Sequence, residues 1–319
     1  MHTARTVALS MLALAGSTAL ARADGEMVAV LTKNQTNPYF HALRLGAEQA
    51  ARSMGARVVQ YVPTKPDSIP EQLSQIEDVL VKKPDAIVFV PVDYKAMIPG
   101  LEKMNTAQVP VINATDRMAG GIVASFVGSN DYGLGMATAH SLLKAMGGKG
   151  NLVIIEGVKG YITNVDRTRA FRDALKEYPE VKLLASQTGN FQRLNALQVM
   201  ENLLQSFPKI DGVLAANDAM AVGVIEALDG ADRKARVAGV NGTQEAIDAV
   251  KAGKLVASGA ADPFAQGCAA GMLAVRAARK QPVPAEMLWK PFVIDKENVA
   301  EFDIPPDKRT CTAYEAIVK

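Results

Sequence analysis

The chain has 319 residues, 49% of them hydrophobic and only 5% aromatic, with a formal net charge of +2. That length supports one large or two medium domains with real cores, and so small a charge argues against a surface built for nucleic acid or anionic membrane. With three histidines, no metal-ligand spacing, no G-x-S-x-G elbow and no G-x-x-x-x-G-K-S/T loop, nothing points to metal-dependent, hydrolytic or nucleotide chemistry.

The first stretch, "MHTARTVALSMLALAGSTALARADG", reads as a secretory leader: Arg5 supplies a basic start, Val7 to Ala15 an apolar run, and "ALA" and "ARA" small-residue cleavage sites. The run is too short for a membrane anchor. A signal peptide over 1–23 removes Arg5 and Arg22 and leaves 33 basic against 33 acidic residues, a nearly neutral mature protein. Cys268 and Cys311 could pair in an oxidising compartment, but two cysteines make no disulfide framework, and they read as isolated thiols.

Beyond the leader, continuous apolar runs at 26–32, 56–62, 85–90, 109–114 and 121–127 alternate with helical periodicity over 39–54, 69–83 and 94–106. Buried strands separated by helices predict a parallel sheet covered on both faces. The pattern then restarts with strands at 150–157, 181–187, 211–217, 236–242 and 254–260. Two similar doubly wound α/β lobes follow, with a cleft between the carboxyl ends of their strands, where open α/β sheets bind ligands.

The residues just after those strands are therefore the candidates. "NPYF" places Asn37 as a helix cap, Pro38 in the first turn, and Tyr39 and Phe40 at the strand end. Lys33 lies close by, Asp116 and Arg117 follow "VPVINAT", and Asn164 and Arg167 follow "NLVIIEGVKGYI". Phe191 follows "LLASQTGN", Asn217 follows "DGVLAA", Asn241 follows "RVAGV" and Asp262 follows "VASGA". Each has an ordinary structural reading as a cap, core aromatic, turn residue or solvated charge. Together they supply amides, carboxylates, cations and rings without a nucleophile–base pair. Hydroxyl-rich sugars, which donate, accept and stack, need that mixture.

With "NPYF", "TDR", "VDRTRAF", "QTGNFQR", "LAANDAMAVG" and "VAGVNGT" in order, the chain from about 26 to 295 resembles the type I periplasmic sugar-binding proteins of ABC importers, the ribose- and arabinose-binding group. The resemblance implies two lobes joined by three hinge crossings, near 128–131, 259–263 and 290–293. One lobe then comprises 24–128 plus 262–290, and the other 129–261 plus 291–319. Tyr39, Phe40 and Phe191 would stack on the sugar, and the polar candidates would bond its hydroxyls. Ribose binders share the Asp116–Arg117 pair and Phe191, but have Asp at the position of Asn241, a small hydroxyl residue at Lys33 and Gln at Ala261. Arabinose binders match Lys33 and Asn241, but have an acidic residue at Asn37 and no Arg after Asp116. The hybrid implies an aldopyranose, with a polyol or cyclitol as the alternative, carried by a periplasmic monomer to a membrane permease or a chemoreceptor, without cofactor or metal. The tail 302–319 carries no assignable pattern, and Pro305 and Pro306 argue against regular structure in it.

Overall fold

The computed structural model describes residues 25–317, so the leader lies outside the described residues. The N-terminal lobe begins β1 (Met27–Leu31), α1 (Pro38–Ser53), β2 (Arg57–Tyr61), α2 (Ile69–Val81), β3 (Ala86–Phe89), α3 (Ile98–Thr106), β4 (Val111–Ala114) and β5 (Ser125–Ser129). The C-terminal lobe contains α4 (Asp131–Ala145), β6 (Lys149–Glu156), α5 (Ile162–Leu175), β7 (Glu180–Thr188), α6 (Arg193–Ser206), β8 (Gly212–Ala215), α7 (Asp218–Gly230), β9 (Arg236–Asn241), α8 (Gln244–Lys251) and β10 (Ala257–Ala260). Then come α9 (Pro263–Ala278), β11 (Glu286–Trp289), β12 (Phe292–Asp295), α10 (Val299–Phe302), a 3-10 turn at Pro306–Lys308, and α11 (Tyr314–Ile317).

The strands form two six-stranded sheets, β2-β1-β3-β4-β5-β11 and β7-β6-β8-β9-β10-β12. Every pairing is parallel except β10 with β12. Inner strands β1, β3, β4 and β8 are buried at every residue, as sheets covered on both faces require, whereas edge strand β2 is partly exposed. The order of the first five strands is the same in both lobes, so both sheets direct their carboxyl ends toward one cleft.

The chain passes between the sheets at Asn130, at Ala261–Asp262 and at Lys290–Pro291. The second passage sends α9 back to the N-terminal lobe, where it packs on α1. Glycines make that approach possible: a Cβ at Gly46 would lie 2.1 Å from the Phe264 carbonyl oxygen, and one at Gly267 would lie 2.1 Å from that of Leu43. Either Gly→Ala change would force the two helices apart.

Four expectations change. The fifth strand starts at Ser125 rather than 121, because Gly121 turns the chain at φ +84° and Ile122 faces solvent. Strands β11 and β12 were not anticipated: each has four residues, and Pro291 separates them. The tail does form regular structure, with its prolines at the start of the 3-10 turn rather than inside a helix. Finally, Cys268 and Cys311 are not isolated thiols but a disulfide, with Cα atoms 5.6 Å apart. Their separation of 43 residues concealed that α9 and the tail lie side by side. In the chain-entropy description, closing such a loop contributes about 4 kcal/mol. The bond also places the end of the tail on the N-terminal lobe, not with the rest of 291–319 on the other.

Candidate functional site

A cavity lies between the lobes. On its N-terminal side the wall begins with "NPYF". Asn37 caps α1 by accepting from the Tyr39 amide at 3.0 Å, and Pro38 occupies the first turn. The cap turns Tyr39 and Phe40 against each other edge to face, their centroids 5.3 Å apart. Both rings are buried and both line the cavity, so they close the core and form the wall together. The Tyr39 hydroxyl donates to Gln266 Oε1 at 3.0 Å, and burial pushes its phenol well above the usual range. Gln266 in turn donates to Ser129 Oγ at 2.7 Å and to the Ala261 carbonyl, so it joins this wall to two of the crossings.

Beside the rings, Lys33 Nζ donates to Asp116 Oδ2 at 2.5 Å, with both side chains buried. The ammonium also lies 5.5 Å from the Phe40 centroid and 5.1 Å from that of Tyr161 on the opposite lobe. The other Asp116 oxygen accepts from the Thr163 hydroxyl, again across the cleft, at 2.7 Å. Asn34 donates to Asp67 at 3.2 Å, and burial raises the Asp67 carboxyl above its ordinary value while Lys33 opposes the shift.

On the C-terminal side Arg167 is buried and held at several points while still lining the cavity. Nε donates to Asp131 at 2.8 Å, and Nη1 donates to the Ala216 carbonyl at 2.7 Å and to Asn241 Oδ1 at 3.0 Å. One side chain of α5 thereby ties together the loops after β8 and β9. Burial raises the Asp131 carboxyl, and Arg167 counteracts it. Asn217 caps α7 by accepting from the Met220 amide at 2.9 Å, and its amide donates to the Phe191 carbonyl at 3.2 Å. Asn190 and Phe191 both have left-handed backbones, at φ +53° and +58°. For a bulky residue this conformation costs on the order of 1–3 kcal/mol. The turn lays the Phe191 ring over Gly157, where a Cβ would come within 2.1 Å of the ring. Asn241 closes β9 at φ +142°.

Nine of the twelve candidates thus share one cavity: Lys33, Asn37, Tyr39, Phe40, Asp116, Arg167, Phe191, Asn217 and Asn241. Three do not. Arg117 points away from the cleft, pairs with Glu286 at 2.6 Å and lies 3.9 Å from the Phe126 centroid; Thr115, at φ +66°, bends the backbone between the end of β4 and Asp116. Asn164 is turned inward, where it accepts from the Gly157 amide and the Thr168 hydroxyl. Asp262 caps α9 and pairs with Arg309 at 2.7 Å, outside the cavity. The cavity also includes Asn34, Asp67, Thr115, Tyr161 and Thr163, which the strand-end reading passed over. Tyr161 stands inside the quoted "VKGYI", and Asp67 follows β2, an N-terminal strand end left without a candidate.

Among the cavity residues Lys33 and Arg167 are matched by the carboxyl groups of Asp67 and Asp116, so a neutral ligand fits best. The phenol of Tyr161, raised by burial, stays protonated at neutral pH and can donate. Among the described residues no three His, Cys, Asp or Glu side chains cluster as a metal site, and no helix is long and apolar enough to cross a membrane.

Comparison with known proteins agrees with the two-lobe fold. The periplasmic binding protein domain family matches residues 28–282. A D-apiose import binding protein of Actinobacillus succinogenes is 32% identical over 262 residues, 80% of this chain and 82% of that protein. The D-allose-binding periplasmic protein of Escherichia coli is 30% identical over 278 residues, covering 84% and 87%. A solved ABC transporter solute-binding protein from Actinobacillus succinogenes with bound D-allose superposes with a TM-score of 0.82 at 34% identity, covering 86% of this chain and 99% of that one.

Proposed function

Because the chain belongs to the periplasmic binding protein domain family, we propose that it captures a neutral monosaccharide in the periplasm and delivers it to the permease of an ABC importer. The observation that carries this proposal is the composition of one cavity: Tyr39, Phe40 and Phe191 as flat walls, with Lys33, Asp116, Arg167 and three asparagines as hydroxyl partners. Relatives named for apiose and allose, both neutral aldoses, support the same ligand class. An aldopyranose presents C–H faces to the rings and a donor and acceptor at each hydroxyl.

Capture proceeds without covalent chemistry, and the protein acts as a monomeric carrier rather than an enzyme. Sugar first meets one lobe, and closure brings the groups of the other onto it. The ligand shifts the open–closed equilibrium only by its preference for the closed form. A mismatched hydroxyl leaves a buried partner unpaired at about 1–3 kcal/mol, which is enough for selectivity.

Mass spectrometry of small molecules released from the purified protein, with a thermal-shift screen of aldoses and polyols, tests the proposal. A neutral sugar should co-purify and raise the melting temperature by linkage. An amino acid or anionic ligand in its place would overturn it.

A further inference from the structure

The sequence implies three crossings between the lobes; the structure contains a fourth, made by the tail. On the C-terminal lobe, Phe302 stacks on Phe292 of β12 with centroids 5.3 Å apart, and Asp303 accepts from Gln244 at 3.2 Å and pairs with Lys251, both on α8. Six residues later the chain is fastened to the other lobe. Arg309 pairs with Asp262 at 2.7 Å and lies 4.9 Å from the Phe264 centroid, while its carbonyl accepts from Gln49 of α1 at 3.0 Å. The Cys311 amide then donates to Gln49 Oε1 at 2.7 Å, and its sulfur is bonded to Cys268 of α9.

We infer that residues 303–311 form a disulfide-fastened strap across the hinge that limits how far the lobes open and thereby raises ligand affinity. Three features support this. Both ends are held by side chains of different lobes, so an opening that separates the two anchors must stretch the strap or break one of them. Six residues span at most roughly 20–22 Å when extended, and the 3-10 turn and the fixed φ of Pro305 and Pro306 remove part of that slack. The N-terminal anchor also falls on a hinge residue: Asp262 lies in the second crossing, in a left-handed conformation at φ +40°. Arg309 therefore holds the side chain of a residue that lies in the crossing itself. A strap that trims the open ensemble lowers the cost of closure, which appears as tighter binding.

The inference rests on closure of two lobes, not on the identity of the sugar. Its test is small-angle X-ray scattering of the ligand-free full-length mature protein in three forms: wild type, Cys268→Ser/Cys311→Ser, and Phe302→Ala/Asp303→Ala, which removes the side-chain anchors of the other end while leaving the disulfide in place. Circular dichroism establishes that each form is folded. Both variants should show a larger radius of gyration than wild type, and calorimetry with the co-purified ligand should show affinity about five- to tenfold weaker. Unchanged scattering in Phe302→Ala/Asp303→Ala would overturn the strap and leave the disulfide as a local staple of the tail. Weaker binding without wider scattering would overturn it too. The scattering arm uses no sugar, so it stands apart from any failure of the ligand assignment.

Discussion

On the N-terminal face of the cleft, Lys33 and Asp116 neutralise each other through side chains alone and reach the opposite lobe through Thr163 and Tyr161. On the C-terminal face, Arg167 is held by the Ala216 carbonyl and by Asn241 and Asp131 of its own lobe, and Asn217 is committed to capping α7. The same strand-end architecture therefore buries charge in two ways. One face carries groups that are completed by closure. The other carries groups that hold its lobe together before anything binds.

The sharpest way to break this contrast is a pair of substitutions. Arg167→Ala leaves Asp131 buried without its cation and frees two loops, so it should abolish binding and also cost about 3–5 kcal/mol in urea unfolding. Lys33→Met should weaken sugar binding about 10- to 100-fold through one lost charge-assisted bond. Its unfolding midpoint should barely move, because opening the lobes lets water reach Asp116. Equal stability losses in the two variants would erase the distinction.

A subtler change tests the ring on the C-terminal face. Gly157→Ala inserts a methyl where the Phe191 ring lies and should weaken binding about tenfold by displacing it. Wild-type affinity, read by calorimetry, would mean that the ring can relocate without consequence.

A pH-dependent effect lies behind that face. Asp218 accepts from Thr243 and Ser258 and so fixes the loop that carries Asn241. Burial pushes its carboxyl up to about 6, against the pull of those hydrogen bonds. The folded state then holds the proton more tightly than the unfolded state. The resulting stabilisation is complete below the unfolded value near 4 and is lost as pH rises through about 6. The unfolding free energy should fall across that window by on the order of 2–3 kcal/mol, and Asp218→Asn should flatten the slope. A slope that persists in the variant would assign it to other groups.

Much of this arrangement was legible in the residues. Apolar runs of four or five residues revealed the inner strands, because a sheet covered on both faces leaves no polar alternation to obscure them. Strand-end position found nine residues of the cavity for the same reason: topology, not local propensity, gathers them. What escaped was orientation and long-range pairing. Asp116 and Arg117 are adjacent, yet a left-handed Thr115 precedes a turn that sends one inward and the other toward Glu286. Asn164 in the first turn of α5 and Asp262 at the cap of α9 follow the right strands but are used by backbone amides there. Strands β11 and β12 are too short for a period to show, and a bond between Cys268 and Cys311 depends on α9 crossing back, which no local pattern records.

Titration calorimetry of wild type and Phe191→Ala against the same aldose panel tests the central claim most directly. One neutral aldose should bind wild type with a stoichiometry of about one. Loss of the Phe191 ring should weaken that binding about tenfold or more while the protein stays folded. No binding by any neutral sugar, or an affinity indifferent to Phe191, would contradict a carbohydrate carrier closing over this cavity.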